Sequence, residues 1–224
     1  MRSCYGLFIC VNKLRNLPER EALRQTLSGV KELSLAYIQI FNDAILHKLL
    51  AIMPSLNSLR FVGLNISFHS GPYKKLSTGA QIQPSNGRLT FLYIFQICSE
   101  LPRLRVLILR RCLAIGNQGV RQVAQLAQLQ VLDVSYCYGI NGEGILEGIT
   151  SSKNDNRREL HICELALSER CIIAITENLP ELRLLDLSRC FRDILDLCLQ
   201  YICRNLVRLK KLFLDDYMKV FEGG

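Results

Sequence analysis

His161 and Cys163, two residues apart, are the closest pairing of an imidazole and a thiol in the 224-residue chain. A cysteine held beside a histidine is the minimal arrangement for nucleophilic catalysis, because the base takes the thiol proton and leaves the reactive thiolate. Residues two apart on a strand share a face, so these two side chains can in principle meet. The surrounding sequence supplies neither a third group to orient the histidine nor donors placed to hold an oxyanion, and both residues fall in columns that face outward from a strand. The expectation is no catalytic residue and no enzyme. Zinc needs Cys and His grouped at short spacing. Here Cys198 and Cys203 are separated by four residues, Cys4 and Cys10 by five, and His47, His69 and His161 lie far apart. Gly139, Gly142 and Gly144 lack the Lys-Ser/Thr ending of a phosphate loop and the frame of a dinucleotide loop, so they read as turn residues. No metal and no other cofactor is expected.

Hydrophobic residues make up 49% of the chain and charged residues 21%, the balance of a folded protein. Lys and Arg number 28 against 20 Asp and Glu, and the net charge of +8 favours acidic partners in general. In sequence the basic residues form only pairs, Lys74 with Lys75, Arg110 with Arg111, Arg157 with Arg158 and Lys210 with Lys211. No basic stripe with interleaved aromatics is visible, which disfavours nucleic acid. The ten cysteines need not be staples, because a chain this long and this rich in Leu and Ile can close its own core. The run from Met1 to Val11 lacks the small-residue cleavage site of a signal peptide. The longest apolar stretch elsewhere, Leu89 to Ile97, is about half the ~20 residues of a membrane span. A cytoplasmic or nuclear location without membrane insertion is the expectation.

The elements that position these residues come from a repeat. Leu104, Leu107, Leu109 and Cys112 stand at positions one, four, six and nine of a frame that recurs in full at Leu129, Leu132, Val134 and Cys137, and again at Leu182, Leu185, Leu187 and Cys190. Degenerate copies begin at Val30, Leu56, Arg157 and Leu209, which makes seven strands. Their fourth-position residues, Leu33, Leu59, Leu107, Leu132, Leu160, Leu185 and Leu212, are 26, 48, 25, 28, 25 and 27 residues apart. The value of 48 is one repeat plus an insertion, and the others fall in the range of leucine-rich repeats. Between the strands, apolar residues at three-and-four spacing predict helices over Asn42–Met53, Leu89–Ser99, Gln118–Gln128, Gly142–Thr150, Ser168–Asn178 and Asp193–Asn205. Asn42, Asn117 and Ser168 are expected as N-caps. Strand and helix alternating with short connections require parallel strands. The predicted fold is α/β, a leucine-rich-repeat solenoid or horseshoe with a parallel sheet on its concave face and helices on its convex face.

Across Val30 to Tyr217 the residues resemble the cysteine-containing leucine-rich repeats of F-box and related proteins. The resemblance is carried by Cys112, Ile115, Gly119 and Val120 through one turn and helix start, and by Cys137, Ile140, Gly144 and Ile145 through a second. Leu101, Pro102 and Leu104, and again Leu179, Pro180 and Leu182, mark the exits. Cys98 and Cys203 stand three residues before an exit leucine, where Met53 stands in an earlier repeat. The resemblance implies a substrate-recognition arm of a cullin-based ubiquitin ligase, in which an F-box docks the adaptor and the repeats hold the protein to be ubiquitinated. Residues 1–29 read as a partial N-terminal repeat or cap, with Pro18 in the first turn of a helix. They are too few for an F-box, and Met218 to Gly224 stand where a covering helix is expected. Adaptor and cullin would then be reached through a part outside this chain, or the chain is an F-box-less scaffold or inhibitor.

The solenoid itself spans 30–224, with an inserted loop near 68–88 that is rich in Gly, Pro, Ser, Lys and Gln and either reaches across a partner or serves as a spacer. Frame positions five, seven and eight cannot all point into the core, and they vary from repeat to repeat. The concave contacts expected for a protein partner are Arg110, Arg111, Asp133, Tyr136, His161, Glu164, Asp186, Arg189 and Asp215. Arg and Tyr are the types that most often anchor such contacts, so Arg110, Arg111, Tyr136 and Arg189 lead. The cysteines at position nine are expected to pack inward, with S–H groups meeting turn carbonyls.

Overall fold

A computed structural model describes residues 25–36, 43–63, 91–113, 115–151, 155–190 and 196–215. The 68–88 insertion, residues 1–24 of the predicted N-terminal cap, Asn42, and the frame residues Tyr37, Ile38, Leu64, Asp216 and Tyr217 lie outside them. Seven parallel strands form one sheet in strictly sequential order. They are β1 Glu32–Ala36, β2 Ser58–Val62, β3 Val106–Ile108, β4 Val131–Asp133, β5 Glu159–His161, β6 Leu184–Asp186 and β7 Lys211–Phe213. Parallel neighbours need a crossover between them. The helices described in those crossovers are α1 Asp43–Ile52, α2 Phe91–Glu100, α3 Asn117–Gln122, α4 Gly142–Gly148, α5 Glu169–Asn178 and α6 Asp196–Asn205.

The register places the leucines of frame position four beside one another: Leu33 pairs Leu59, then Leu107, Leu132, Leu160, Leu185 and Leu212 in turn. A slip of one residue would carry every one of these side chains to the other face, so the hydrophobic pattern fixes the pairing. Positions one, four and six of the frame join residues of the helices, such as Leu46, Ile97, Val120, Ile145, Ile172 and Ile202, in one core. Each fully buried Leu or Ile contributes about 1.5–3 kcal/mol. The cysteines of position nine close this core as expected. Cys112, Cys137 and Cys190 are buried, and their S–H groups donate to the position-six carbonyl of the preceding frame, Phe61, Leu109 and Ile162, at 3.6, 2.9 and 2.9 Å. All eight described cysteines are free thiols.

The carboxyl ends of the helices depart most from the sequence pattern in two crossovers, α4 ending at Gly148 instead of Thr150 and α3 departing further. Instead of running to Gln128, α3 ends at Gln122 and tightens into a 3₁₀ turn, Val123–Gln125, that sets Leu126 into the core ahead of β4. Asn117 is not a cap: the N-cap of α3 is Gly116, without a side-chain bond. The Asn117 amide instead reaches the next repeat, accepting the N–H of Asn141 at 3.0 Å and donating to its Oδ1 at 2.8 Å. Asn141, a residue the pattern passed over, caps α4 by accepting from the Glu143 N–H. Ser168 is the N-cap residue of α5, but its Oγ faces Cys171 Sγ at 3.3 Å and caps no N–H. Cys98 and Met53 are buried, whereas Cys203 on α6 is exposed, so the three do not share one environment. Gly139 is required for space: a Cβ there would stand 2.6 Å from the Ile115 carbonyl oxygen.

Candidate functional site

At the carboxyl ends of the strands the chain turns sharply, and the turn recurs from repeat to repeat. The N–H of position nine donates to the carbonyl of position six, Cys112 to Leu109, Cys137 to Val134 and Cys190 to Leu187, at 3.1–3.2 Å. Position eight inside that turn has positive φ: 61° at Gly63, 57° at Arg111, 62° at Tyr136, 57° at Glu164 and 61° at Arg189. A residue with a Cβ pays roughly 1–2 kcal/mol to hold that left-handed conformation. The sheet ladder continues through the turn, since each position-eight N–H donates to the position-seven carbonyl of the next repeat: Arg111 to Ser135, Tyr136 to Cys163, Glu164 to Ser188 and Arg189 to Asp215, at 2.8–3.0 Å. The side chains of Arg111, Tyr136, Glu164 and Arg189 therefore stand in one row, a strand spacing of about 4.8 Å apart.

Within this row the groups interlock. The guanidinium carbons of Arg110 and Arg111 lie 5.1 and 4.9 Å from the centroid of the Tyr136 ring, a distance at which cation and ring attract. Both arginines remain exposed. Arg189 Nη1 donates to Glu164 Oε2 at 3.1 Å, and the hydroxyl of Tyr138 donates to the other carboxylate oxygen at 3.2 Å. The phenol of Tyr136 is held above its ordinary pKa, first by its bond to the Cys163 thiol and then by burial. Tyr138 is also raised, by burial and then by the Glu164 charge. Tyr138 is 61% exposed and was not among the residues expected from sequence; its place directly after Cys137, outside the strand frame, hid it.

A second group lies on the strands. Asp133 was expected as an open contact, and this is corrected: it is 6% exposed, and its Oδ1 accepts the N–H of Ser135 at 2.9 Å. Asp186 makes the same bond to the Ser188 N–H at 3.1 Å, so an aspartate at position five serves to satisfy the turn amide two residues on. Position seven is open only in part: Arg110 and Asp215 are exposed, whereas Ser135, Cys163 and Ser188, also expected to face outward, are buried. These three are small residues packed under the position-eight row, and Ser135 Oγ accepts the Cys163 N–H at 3.2 Å. His161 is half-buried between acids, with Nδ1 3.5 Å from Asp186 Oδ2 and Nε2 3.8 Å from Glu159 Oε2. The bond to Asp186 raises the imidazole above its usual pKa despite burial, which pulls the other way. Burial pushes the Asp186 carboxyl up, but hydrogen bonds from His161 and Ser188 outweigh it and leave the pKa lowered. Asp215 is exposed, and its carbonyl accepts the Arg189 N–H.

This arrangement does not suit nucleophilic chemistry at Cys163. Burial pushes that thiol up, with the Tyr136 bond pulling only partly back, whereas a thiolate nucleophile needs the reverse. Among the described residues, no group of three or more His, Cys, Asp or Glu side chains is placed to hold a metal ion. What the row does offer is alternating charge and aromatic surface: two exposed arginines, a tyrosine beneath them, and a Glu164–Arg189 pair beside an exposed tyrosine. Among the described residues no helix is long and apolar enough to cross a membrane.

No protein-family model matches the chain. Among curated proteins, the F-box protein SKIP28 of Arabidopsis thaliana is 39% identical over 83 residues, a stretch that covers 35% of this chain. The same stretch is 28% of SKIP28, so the match concerns under a third of that protein. Over that part of its length, the chain is similar to an F-box protein.

Proposed function

We propose that the chain is a leucine-rich-repeat solenoid whose parallel sheet forms the concave wall, and that this wall holds a protein destined for ubiquitination by a cullin-based ligase. The role is recognition without catalysis, inside the cell. Arg110, Arg111, Tyr136, Glu164 and Arg189 make the principal contacts, with Tyr138 beside them, while His161, Asp186 and Asp215 add polar contacts. Asp133 contributes by holding the turn.

The observation that carries this reading is the row at position eight. Four non-glycine side chains occupy left-handed backbone where Gly63 shows that glycine also fits. Strain retained in several repeats at once points from backbone to function, because each such residue carries a left-handed cost of roughly 1–2 kcal/mol, only part of which is offset by the extra entropy a glycine would lose. The residue types retained there, Arg and Tyr among them, are those that dominate binding energy at protein interfaces. The ligase assignment rests on the F-box protein match, which is partial.

Affinity capture from lysate followed by mass spectrometry tests both parts, using the intact chain and an Arg110→Glu/Arg111→Glu variant. The expected result is a protein recovered by the first and lost by the second, together with the ligase adaptor and cullin. Partners unchanged by the double reversal would refute the site. A site-dependent partner without adaptor or cullin would leave a stand-alone scaffold or inhibitor.

A further inference from the structure

The basic residues that look scattered in sequence are brought together at the opposite end of the strands. Frame position two is basic in five of the seven repeats, at Lys31, Arg105, Arg158, Arg183 and Lys210, with the amides of Asn57 and Gln130 between them. The backbone holds this column in register, because each carbonyl from Lys31 to Arg183 accepts two N–H groups from the next repeat. Lys31 accepts from Asn57 and Ser58 at 2.9 and 3.0 Å, Arg105 from Gln130 and Val131 at 2.8 and 3.0 Å, and Arg183 from Lys210 and Lys211 at 2.8 and 3.0 Å. With the carbonyls from Lys31 to Arg183 occupied, this stretch of the rim presents side chains and not backbone. At about 4.8 Å per strand the column runs roughly 30 Å, and it lies about 20 Å along the strands from the position-eight row.

The cations of the rim are not equally free. Glu181 pairs with Arg158 at 2.8 Å and with Arg208, so the middle of the column is neutralised. At the β1–β3 end, among the described residues, no carboxylate lies within ion-pair distance of Lys31, Arg103 or Arg105. These three exposed cations, with Ser55 and Asn57, line an open cleft of about 440 Å³. Unopposed like charges gathered on one concave surface attract an anionic ligand at long range and hold it at short range.

We propose that this rim is a second docking surface, which takes an acidic, extended polypeptide segment with its carboxylates seated on Lys31, Arg103 and Arg105 and its chain running on toward Arg183 and Lys210. A peptide fits better than a nucleic acid on two counts. The rim column and the turn residues two before it carry no aromatic side chain, so bases have nothing to stack on. A nucleic-acid strand also carries a charge at every step of about 3.4 Å and would have to cross Glu181, whereas a polypeptide can set a neutral residue there. The surface is separate from the position-eight row and does not depend on the ligase assignment.

The test is fluorescence anisotropy of a labelled deca-glutamate peptide at about 0.1 M salt, where screening sets in beyond ~10 Å. Arg103→Glu/Arg105→Glu is compared with the intact chain and with Arg170→Glu/Arg204→Glu, a control of equal charge change on the exposed surface of α5 and α6. Melting curves establish that each variant is folded, and Arg103→Gln/Arg105→Gln replaces the reversal if it is not. The expected result is a loss of affinity of about tenfold or more for the rim variant, equivalent to ~1.4 kcal/mol, and less than about twofold for the control. Equal losses in the two variants would show attraction to net charge alone and overturn the proposal. So would absence of binding, or tighter binding of a labelled oligothymidylate of matching length.

Discussion

Replacing Arg111 by glycine and, separately, by alanine isolates the backbone strain on which the candidate site rests. Both changes remove the guanidinium and its contact with the Tyr136 ring at 4.9 Å, so that contact cancels in the comparison. What differs is the cost of φ 57°. Alanine carries the left-handed penalty of roughly 1–2 kcal/mol and glycine does not. Glycine loses about 0.5–1 kcal/mol more conformational entropy on folding, which offsets part of the gain. The glycine variant should therefore be the more stable by about 0.5–1 kcal/mol, or roughly 1–4 °C in melting temperature for a chain of this length. In a helix the sign reverses: Ala174→Gly in α5 should lose about 1 kcal/mol and serves as the internal control. Urea unfolding followed by circular dichroism reads both differences. If alanine at position 111 matches or exceeds glycine, the turn is not left-handed there, and the inference that these side chains are kept at an energetic cost collapses. The glycine variant should also bind the proposed partner more weakly than the native chain despite the relieved backbone, so stability and affinity should move in opposite directions.

Gly139→Ala should cost roughly 1–3 kcal/mol, because its Cβ would stand 2.6 Å from a backbone oxygen that cannot swing aside; a near-neutral urea midpoint would contradict the packing of the two turns. The His161 pKa is raised above 6.5 by Asp186, so the pair's contribution through the imidazole is complete below that value and lost as pH rises through the folded one. The Asp186 pKa is lowered below 3.8, so its contribution is present above that value and lost on acidification. The stability advantage of the native chain over His161→Gln should accordingly shrink as pH rises above about 6.5, with the imidazole proton resonances titrating above the usual midpoint; a constant advantage would argue against the contact. Brief alkylation should modify exposed Cys203 and spare Cys137 and Cys190, whose thiols donate to buried carbonyls and of which Cys190 is pushed up to about 12 by burial. Equal labelling in peptide mass spectra would refute the inward-facing column.

The leucine frame made the sheet legible because a hydrophobic residue at positions four and six has one solution: burial against a helix, in register with its neighbours. Leu33 through Leu212 follow it without a slip. The capping residues were less legible, since Asn117 and Asn141 both fit an N-cap and only the stacked geometry decides that one bridges repeats while the other caps. Asp133 looked like a binding residue because an aspartate at an alternating position reads as outward; the competing demand, an amide at Ser135 left over by a tight turn, appears only when the turn is seen. The positive φ at position eight is likewise invisible when the residue there is Arg, Tyr or Glu instead of glycine. The basic rim escaped notice for another reason. Its members, Lys31, Arg105, Arg158, Arg183 and Lys210, stand one or two repeats apart, so a search for runs finds only pairs, whereas the sheet sets the same frame position of successive repeats on neighbouring strands.

Exposure at position seven then decides where a partner can reach the sheet. Arg110 on the β3 side is exposed, but Ser135, Cys163 and Ser188 after β4, β5 and β6 are buried. A partner approaching β4 to β6 meets the position-eight side chains and the edges of His161 and Asp186, and the buried Ser135 behind them serves the turn by its hydrogen bond to the Cys163 backbone. Ser135→Ala removes the acceptor of the Cys163 N–H at 3.2 Å and leaves a buried donor poorly satisfied, which should cost about 1–3 kcal/mol of stability. Partner affinity, measured below the variant's melting transition, should stay within about twofold, since surface-neutral changes of the contact face are worth under about 0.5 kcal/mol. An affinity loss without a stability loss would show that the partner reaches past the Tyr136 row into the middle of the sheet, and the contacts would then have to be reassigned from the turns to the strands.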